Sequence, residues 1–130
     1  MNRLVITLQL ILIASFALYG QENAENNTEK AKITFEKKVH DYEVIDYKGN
    51  GDYEFEFKNT GNKPLILTNV KSSCGCTIPS WPRDPFEPGE KGKIKVKYNT
   101  RIKGKFSKSI VVYSNAENSR EVLRIKGQVK

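Results

Sequence analysis

The chain has 130 residues, of which 38% are hydrophobic, and a formal net charge of +7. This length suits one ordinary domain and is too short for two. The basic excess favours solubility and attraction to acidic surfaces but identifies no partner by itself. Size and composition therefore indicate one small domain rather than a multidomain protein.

Residues 1–20 have the pattern of a secretory signal peptide. Arg3 precedes an apolar run from Leu4 to Leu18 of about fifteen residues, and small residues follow. The run is shorter than the roughly twenty residues of a membrane-spanning helix. We therefore expect an exported protein, periplasmic or extracellular, and treat an uncleaved N-terminal anchor as the alternative. No cysteine stands directly after the run, so a lipoprotein anchor is not expected.

Residues 21–30 are polar and lack apolar periodicity, which predicts a disordered leader. From residue 31 to residue 130, apolar and polar residues alternate between frequent turn signals. The predicted strands lie, in chain order, in KITFEK, YEVIDY (which could also continue the first strand), DYEFEFK, LILTNV, KIKVKY, FSKSIVVYS and EVLRIKGQVK. No segment has a helical stripe. About seven short strands predict an all-β, immunoglobulin-like antiparallel sandwich.

The strand LILTNV contains a change of parity. Leu65 and Leu67 have odd numbers and therefore point to the same face of a regular strand, whereas Val70 would point to the opposite face. A bulge near residues 68–69 would return Val70 to the core side. Beyond that bulge, Cys74 and Cys76 share the face of Val70. Both thiols are therefore expected to point inward or toward the end of the sandwich.

The following segment, PSWPRDPFEPGEKG, holds four prolines and is predicted to be a loop.

Cys74 and Cys76 are the two cysteines of the chain, and only Gly75 separates them. In an extended strand their Cα atoms would be roughly 6.6 Å apart, near the upper limit for a disulfide, and a bend at Gly75 would shorten that distance. Three interpretations remain open: a structural pair, bonded or packed, which we favour; thiol-redox exchange; and binding of a soft metal such as Cu(I).

The sequence lacks a complete catalytic or metal-binding constellation. A closed zinc site needs four ligands, and His40, the single histidine, is far from the cysteines in sequence. His40 is interpreted as an exposed strand or turn residue rather than a general base. Hydrolase elbows and phosphate loops are also missing from the sequence. We therefore expect a non-enzyme without a cofactor, with thiol-redox chemistry as the one exception. No metal site is expected apart from the Cu(I) alternative at Cys74 and Cys76.

A candidate binding surface lies on the strand KIKVKY. Lys93, Lys95 and Lys97 alternate with apolar residues and must share one face, either as a solvated surface or as a basic stripe for an anionic partner. Lys103, Lys105 and Lys108 would extend such a stripe. Trp81, between two prolines, either caps the core or stands exposed as a contact residue.

The motifs along the domain closely resemble those of the bacterial DUF1573 family. The matching residues are Phe57, Asn59, Thr60 and Gly61; Pro64 and Leu65; Ser73, Cys74, Gly75, Cys76 and Thr77; Pro88, Gly89 and Glu90; and Gly104 and Phe106. One departure is Glu43, which stands where the family commonly has glycine. The resemblance implies an immunoglobulin-like fold and a place in the bacterial envelope, in a family common in Bacteroidetes, but it implies no reaction.

Together these features predict a secreted, non-catalytic binding or assembly module of the bacterial cell envelope. The alternative is an envelope thiol-redox or copper-handling protein that uses Cys74 and Cys76. The expected partner is an envelope protein or an anionic glycan or lipopolysaccharide surface. Nucleic acid is not expected as a partner of an exported protein, and the mature chain is not expected to contain a transmembrane helix.

Overall fold

The computed structural model describes residues 29–130, which form eight β-strands and no helix. The strands are β1 (Ile33–Phe35), β2 (Val39–Ile45), β3 (Asp52–Asn59), β4 (Leu67–Ser72), β5 (Thr77–Ser80), β6 (Lys91–Tyr98), β7 (Gly104–Ser114) and β8 (Arg120–Val129). They form two sheets: sheet A, with the order β1-β3-β6-β5, and sheet B, with the order β2-β8-β7-β4. The predicted signal peptide and residues 21–28 of the predicted leader lie outside the described residues.

The core lies between the two sheets, as the alternating pattern predicts. Phe55 and Ile94 from sheet A and Ile110 and Leu123 from sheet B are completely buried, while their sequence neighbours are exposed or half-buried. Alternation directs every second side chain to one face, so each strand supplies one apolar face to the core. The all-β sandwich predicted from the sequence is therefore confirmed.

Two details of the architecture differ from the prediction. The segment after the cysteines contains an additional strand, β5, which pairs with β6 and includes Pro79. A proline is tolerated there because β5 is an edge strand and pairs on one side only. In addition, β2 runs parallel to β8, whereas every other pair of named strands is antiparallel.

The predicted bulge in β4 is present. The register with β7 shifts between Leu67 and Asn69, and this shift lets both Leu67 and Val70 reach the core, where they are 3% and 4% exposed. Leu65, before the strand, forms an isolated bridge with Phe86 that ties the proline-rich loop to this edge of the sandwich. The bulge therefore sets the direction in which the chain leaves sheet B toward the cysteines.

A second bulge lies in β2, at the position where the family commonly has glycine. The register with β8 shifts between Asp41 and Val44, and Glu43 inside that shift has a φ of 61°. A carboxylate oxygen of Asp41 accepts a hydrogen bond of 2.8 Å from the Glu43 backbone N–H. Left-handed backbone disfavours a residue with a Cβ atom, whereas glycine adopts it without steric cost.

The substitution Glu43→Gly is therefore expected to raise the free energy of unfolding by about 0.5–1 kcal/mol. Glu56→Gly is the matched control, because Glu56 is also an exposed strand residue but has no positive φ. The control should lower stability by a similar amount, since glycine weakens a regular strand. Urea unfolding of both variants measures the two effects, and a loss of stability in Glu43→Gly would contradict the bulge geometry.

Candidate functional site

The two cysteines lie in the turn that carries the chain from one sheet to the other. β4 is an edge strand of sheet B and β5 is an edge strand of sheet A, so residues 73–76 connect the two sheets along one side of the sandwich. Cys74 and Cys76 form a disulfide, and their Cα atoms are 5.2 Å apart. This distance is shorter than that of a fully extended strand, as the predicted bend at Gly75 requires.

Hydrogen bonds to both sheets hold this turn in place. On the side of sheet B, the Ser73 N–H donates to the Ser109 carbonyl (2.9 Å) and the Ser109 N–H donates to the Ser73 hydroxyl oxygen (3.1 Å). On the side of sheet A, the Asn99 N–H donates to the Cys76 carbonyl at 2.8 Å. The conformation of the turn is therefore supported by contacts that do not involve the sulfur atoms.

The two cysteines have different surroundings. Both are half-buried, but Cys76 packs against the hydrophobic core, and its Sγ lies 3.9 Å from the hydroxyl oxygen of buried Thr77. The Sγ of Cys74 accepts a hydrogen bond of 3.1 Å from the Cys76 backbone N–H. Gly75 is exposed, and a Cβ atom at that position would have no neighbour within 4 Å. The turn is thus open to solvent at its tip.

The structure places Lys93, Lys95 and Lys97 on the exposed face of β6, opposite a row of acidic residues on β3. The pairs in register are Glu56 with Lys93, Glu54 with Lys95 and Asp52 with Lys97. The ammonium group of Lys93 lies 3.2 Å from a carboxylate oxygen of Glu54, and this hydrogen-bonded contact raises the pKa of Lys93. The outer face of sheet A is therefore a ladder of alternating charges rather than a purely basic stripe.

Lys105 and Lys108 do not extend this ladder. Both belong to β7, which lies in sheet B, and Lys103 precedes that strand. Lys103 instead places its ammonium group 5.0 Å from the centre of the Tyr47 ring. The sequence could not separate the two groups of lysines, because both follow the same alternating pattern and the sheet assignment depends on long-range pairing.

Trp81 lies directly after β5 and is half-buried against the hydrophobic core. The guanidinium group of Arg83 covers its ring at 4.0 Å, a distance typical of a cation–π contact. The indole Nε1 is buried and has no hydrogen-bond partner among the described residues. This position agrees with the interpretation of Trp81 as a cap on the core, with Arg83 as the outer layer.

His40 is not simply exposed, because it joins the two sheets on the side of the sandwich away from the cysteines. Its ring stacks on Tyr53 of sheet A with a centroid distance of 3.5 Å and meets Tyr42 edge-on at 4.5 Å. The Tyr42 hydroxyl donates to the Gly51 carbonyl at 2.7 Å. Partial burial lowers the pKa of His40, and the negative charge of Asp41 opposes that shift.

An NMR titration of His40, the single histidine, is expected to give a midpoint below the ordinary value of 6.5. The unfolded chain then binds this proton more readily than the folded chain, so the contribution of His40 to stability falls as the pH drops below about 6.5. Tyr53→Ala, which removes the stacked ring, should move the midpoint upward. A midpoint at or above 6.5 in the folded protein would contradict the stacked geometry.

The candidate soft-metal ligands Cys74 and Cys76 are joined as a disulfide in this structure. Within residues 29–130, no group of three or more histidine, cysteine, aspartate or glutamate side chains could hold a metal ion. His40 contacts Tyr42 and Tyr53, on the side of the sandwich remote from the cysteine turn. Binding of Cu(I) by the reduced pair Cys74 and Cys76, whose soft thiolate ligands suit that ion, therefore stays a prediction.

The fold and these sites define the class of the protein: a two-sheet, immunoglobulin-like sandwich with a disulfide-bonded turn between its sheets. The family described as "Protein of unknown function (DUF1573)" matches residues 33–129, and the chain belongs to that family. This match confirms the resemblance noted from the sequence motifs. The family description assigns no activity.

Solved structures share the fold at low sequence identity. A protein of unknown function from Porphyromonas gingivalis W83 superposes with a TM-score of 0.70 and 14% identity, covering 83% of this chain and 51% of that chain. The PapD-like domain 7 of human CEP192 gives a TM-score of 0.65 and 11% identity, with coverages of 78% and 87%. The CsuC–CsuE chaperone–tip adhesion subunit complex of Acinetobacter baumannii gives a TM-score of 0.55 and 14% identity, with coverages of 77% and 58%.

One curated relative matches part of the chain. A putative chloroplastic glutathione peroxidase 7 of Arabidopsis thaliana is 32% identical over 106 residues, covering 64% of this chain. The match spans 44% of that protein, and the Porphyromonas structure is likewise about twice as long as the region it shares with this chain.

A helix that could cross a membrane was not found among residues 29–130.

Proposed function

We propose that the protein is an exported, non-catalytic binding module of the bacterial cell envelope that docks a protein partner on the outer face of sheet A. The fold supports a binding role, since similar sandwiches include a chaperone captured in complex with a pilus tip subunit. The signal-peptide pattern of residues 1–20 supports export. The observation that carries the proposal is the charge ladder between β3 and β6.

The edges of the two sheets are poorly suited to pairing with a strand of another protein. β1 has three residues, and β5 has four, including Pro79. β2 contains the bulge at Glu43, and β4 contains the bulge after Leu67. Short strands, prolines and bulges are the devices that protect sheet edges from further pairing. This favours docking through side chains on a sheet face over addition of a strand.

The outer face of sheet A offers an exposed, charged surface for such docking. It presents three carboxylates against five lysines, an excess of two positive charges; these residues are Asp52, Glu54, Glu56, Lys58, Lys91, Lys93, Lys95 and Lys97. Ile78 of β5 is 66% exposed at the rim of the same face. Alternating charges specify orientation and accelerate association, and the exposed side chain of Ile78 adds apolar contact area. A protein surface with a moderate acidic excess fits this arrangement better than a uniformly anionic polymer.

Replacing Lys93, Lys95 and Lys97 with glutamine is expected to leave the fold intact and to weaken partner capture at least tenfold, because three exposed charges of the docking face are lost. The matched control replaces Lys71, Lys105 and Lys126, which are exposed on sheet B, with glutamine. Tagged protein, cross-linked in native envelopes and purified, measures capture, and a thermal melt measures folding.

The proposal predicts that the control variant captures the same proteins as the natural sequence. Equal losses in both variants would show that net charge, not this face, governs association. Capture of anionic glycan or lipopolysaccharide in place of protein would contradict the proposed partner class. Unfolding of the sheet A variant would show that the lysine–glutamate ladder is a structural element instead of a docking surface.

A further inference from the structure

The cysteine turn has the properties of a reversible redox site rather than of a structural disulfide. Its backbone is fixed by Ser73, Ser109 and Asn99 through hydrogen bonds that do not depend on the sulfur atoms. The ring that the disulfide closes contains only Gly75 between the two cysteines. Because closing so short a loop removes little conformational entropy from the unfolded chain, the disulfide adds little to the free energy of unfolding. The sandwich should therefore keep its fold in both the oxidised and the reduced state.

Weak coupling to the fold also affects the reactivity of the bond. A disulfide that the folded state strongly stabilises resists reduction, whereas an exposed disulfide without that support is reduced more readily. Cys74 and Cys76 are half-buried, and the exposed Gly75 leaves open space at the tip of the turn. The side of the turn that carries Gly75 is therefore the side from which a peptide segment would approach the bond.

The two sulfur atoms are not equivalent. The Cys76 N–H points at the Cys74 Sγ, and a hydrogen bond to sulfur favours the thiolate over the thiol. Cys76 itself packs against the core, where burial disfavours a charged sulfur. After reduction, Cys74 is therefore the better nucleophile. In a mixed disulfide between Cys74 and a partner, Cys74 is also the sulfur that leaves when the partner's second thiolate attacks, and Cys76 is the resolving partner.

We propose that Cys74 and Cys76 exchange their disulfide with a dithiol segment of a partner peptide or protein. A thiolate of the partner attacks the Cys74 Sγ, the bond between the two cysteines breaks, and Cys76 leaves as a thiolate. The second partner thiolate then attacks the partner sulfur bound to Cys74 and releases the Cys74 thiolate. The partner gains one disulfide, and the two protons of its thiols end on Cys74 and Cys76. This exchange is independent of the docking proposed for sheet A.

The asymmetry between the sulfurs gives a direct test. Purified Cys76→Ser, which retains Cys74, is expected to form a mixed disulfide with an oxidised two-cysteine peptide at least tenfold faster than Cys74→Ser at pH 7. Mass spectrometry of acid-quenched samples counts the adduct, and thermal melts show whether each variant is folded. Equal rates for the two folded variants, or a faster reaction of Cys74→Ser, would overturn the assignment of Cys74 as the nucleophile.

The natural sequence provides a second test that does not depend on the variants. A reduced two-cysteine peptide at excess should convert one chain disulfide to two thiols for each peptide disulfide formed. A brief pulse of iodoacetamide on the reduced protein should label Cys74 at least tenfold faster than Cys76. The melting temperature should change by no more than a few degrees on reduction. Unfolding on reduction, or failure of the peptide to exchange, would show that the pair is a structural disulfide.

Discussion

Replacement of Phe55 by alanine is expected to lower the free energy of unfolding by about 3–5 kcal/mol, as removal of a completely buried aromatic ring generally does. Phe55 is 0% exposed and lies in the middle of β3, opposite Ile94 of β6. Its ring also packs edge-on against Tyr53 at 4.8 Å. A cavity at this position cannot collapse easily, because β3 is held in continuous register with β6 from Asp52 to Lys58.

Ile78→Ala is the matched control in the same sheet, because Ile78 is 66% exposed and its truncation should cost less than about 0.5 kcal/mol. Urea unfolding followed by tryptophan fluorescence measures both variants. A midpoint for Phe55→Ala that barely differs from that of the natural sequence would mean that the inward face of β3 is misassigned. The whole register of sheet A would then be wrong as well, since a shift by one residue reverses every side chain.

Local alternation explains why most of the fold could be predicted. Each of the strands β3, β6, β7 and β8 overlaps a segment that the pattern identifies, although its bounds differ by one or two residues. The bulge in β4 was predicted because Leu67 and Val70 could otherwise not share the core face. β5 was missed because four residues that include Pro79 carry almost no strand signal. Its existence depends on β6, which offers a free edge for pairing.

Contacts between distant segments explain what the sequence could not show about the candidate sites. The acidic row of β3 is visible as Asp52, Glu54 and Glu56, but its position beside the lysines of β6 depends on the pairing of the two strands. The stacking of His40 on Tyr53 likewise depends on the packing of the two sheets. The bend at Gly75, by contrast, is a local property, so the short distance between Cys74 and Cys76 could be anticipated from three residues, whereas the disulfide itself was left open.

Asn59 is the residue whose importance sequence reasoning most underestimated. It appeared only as one position of the family motif, yet it is completely buried at the end of β3. Its amide nitrogen donates to the carbonyls of Lys63 (2.7 Å) and Phe86 (2.9 Å), and its amide oxygen accepts from the N–H groups of Gly61 (3.0 Å) and Lys32 (3.4 Å). One side chain thus connects the segment before β1, the turn after β3 and the proline-rich loop.

The substitution Asn59→Asp is expected to lower the free energy of unfolding by about 3–5 kcal/mol, because it leaves an uncompensated charge in the interior. The carboxylate keeps the shape of the amide but cannot donate to the Lys63 and Phe86 carbonyls, which it would face as a buried anion. Asn115→Asp is the matched control. Asn115 also donates to a carbonyl, that of Pro64, and accepts from a backbone N–H, that of Ile66, but it is exposed.

Urea unfolding across a range of pH separates loss of the donor from burial of the charge. The control should lose less than about 1 kcal/mol, because water replaces its hydrogen bonds. The deficit of Asn59→Asp should shrink as the pH falls toward 4, since a protonated carboxyl group regains one donor and loses its charge. A pH-independent deficit would assign the effect to loss of the amide donor instead of burial of the charge. Equal losses at positions 59 and 115 would show that Asn59 is not the buried connection between the three loops that its hydrogen bonds describe.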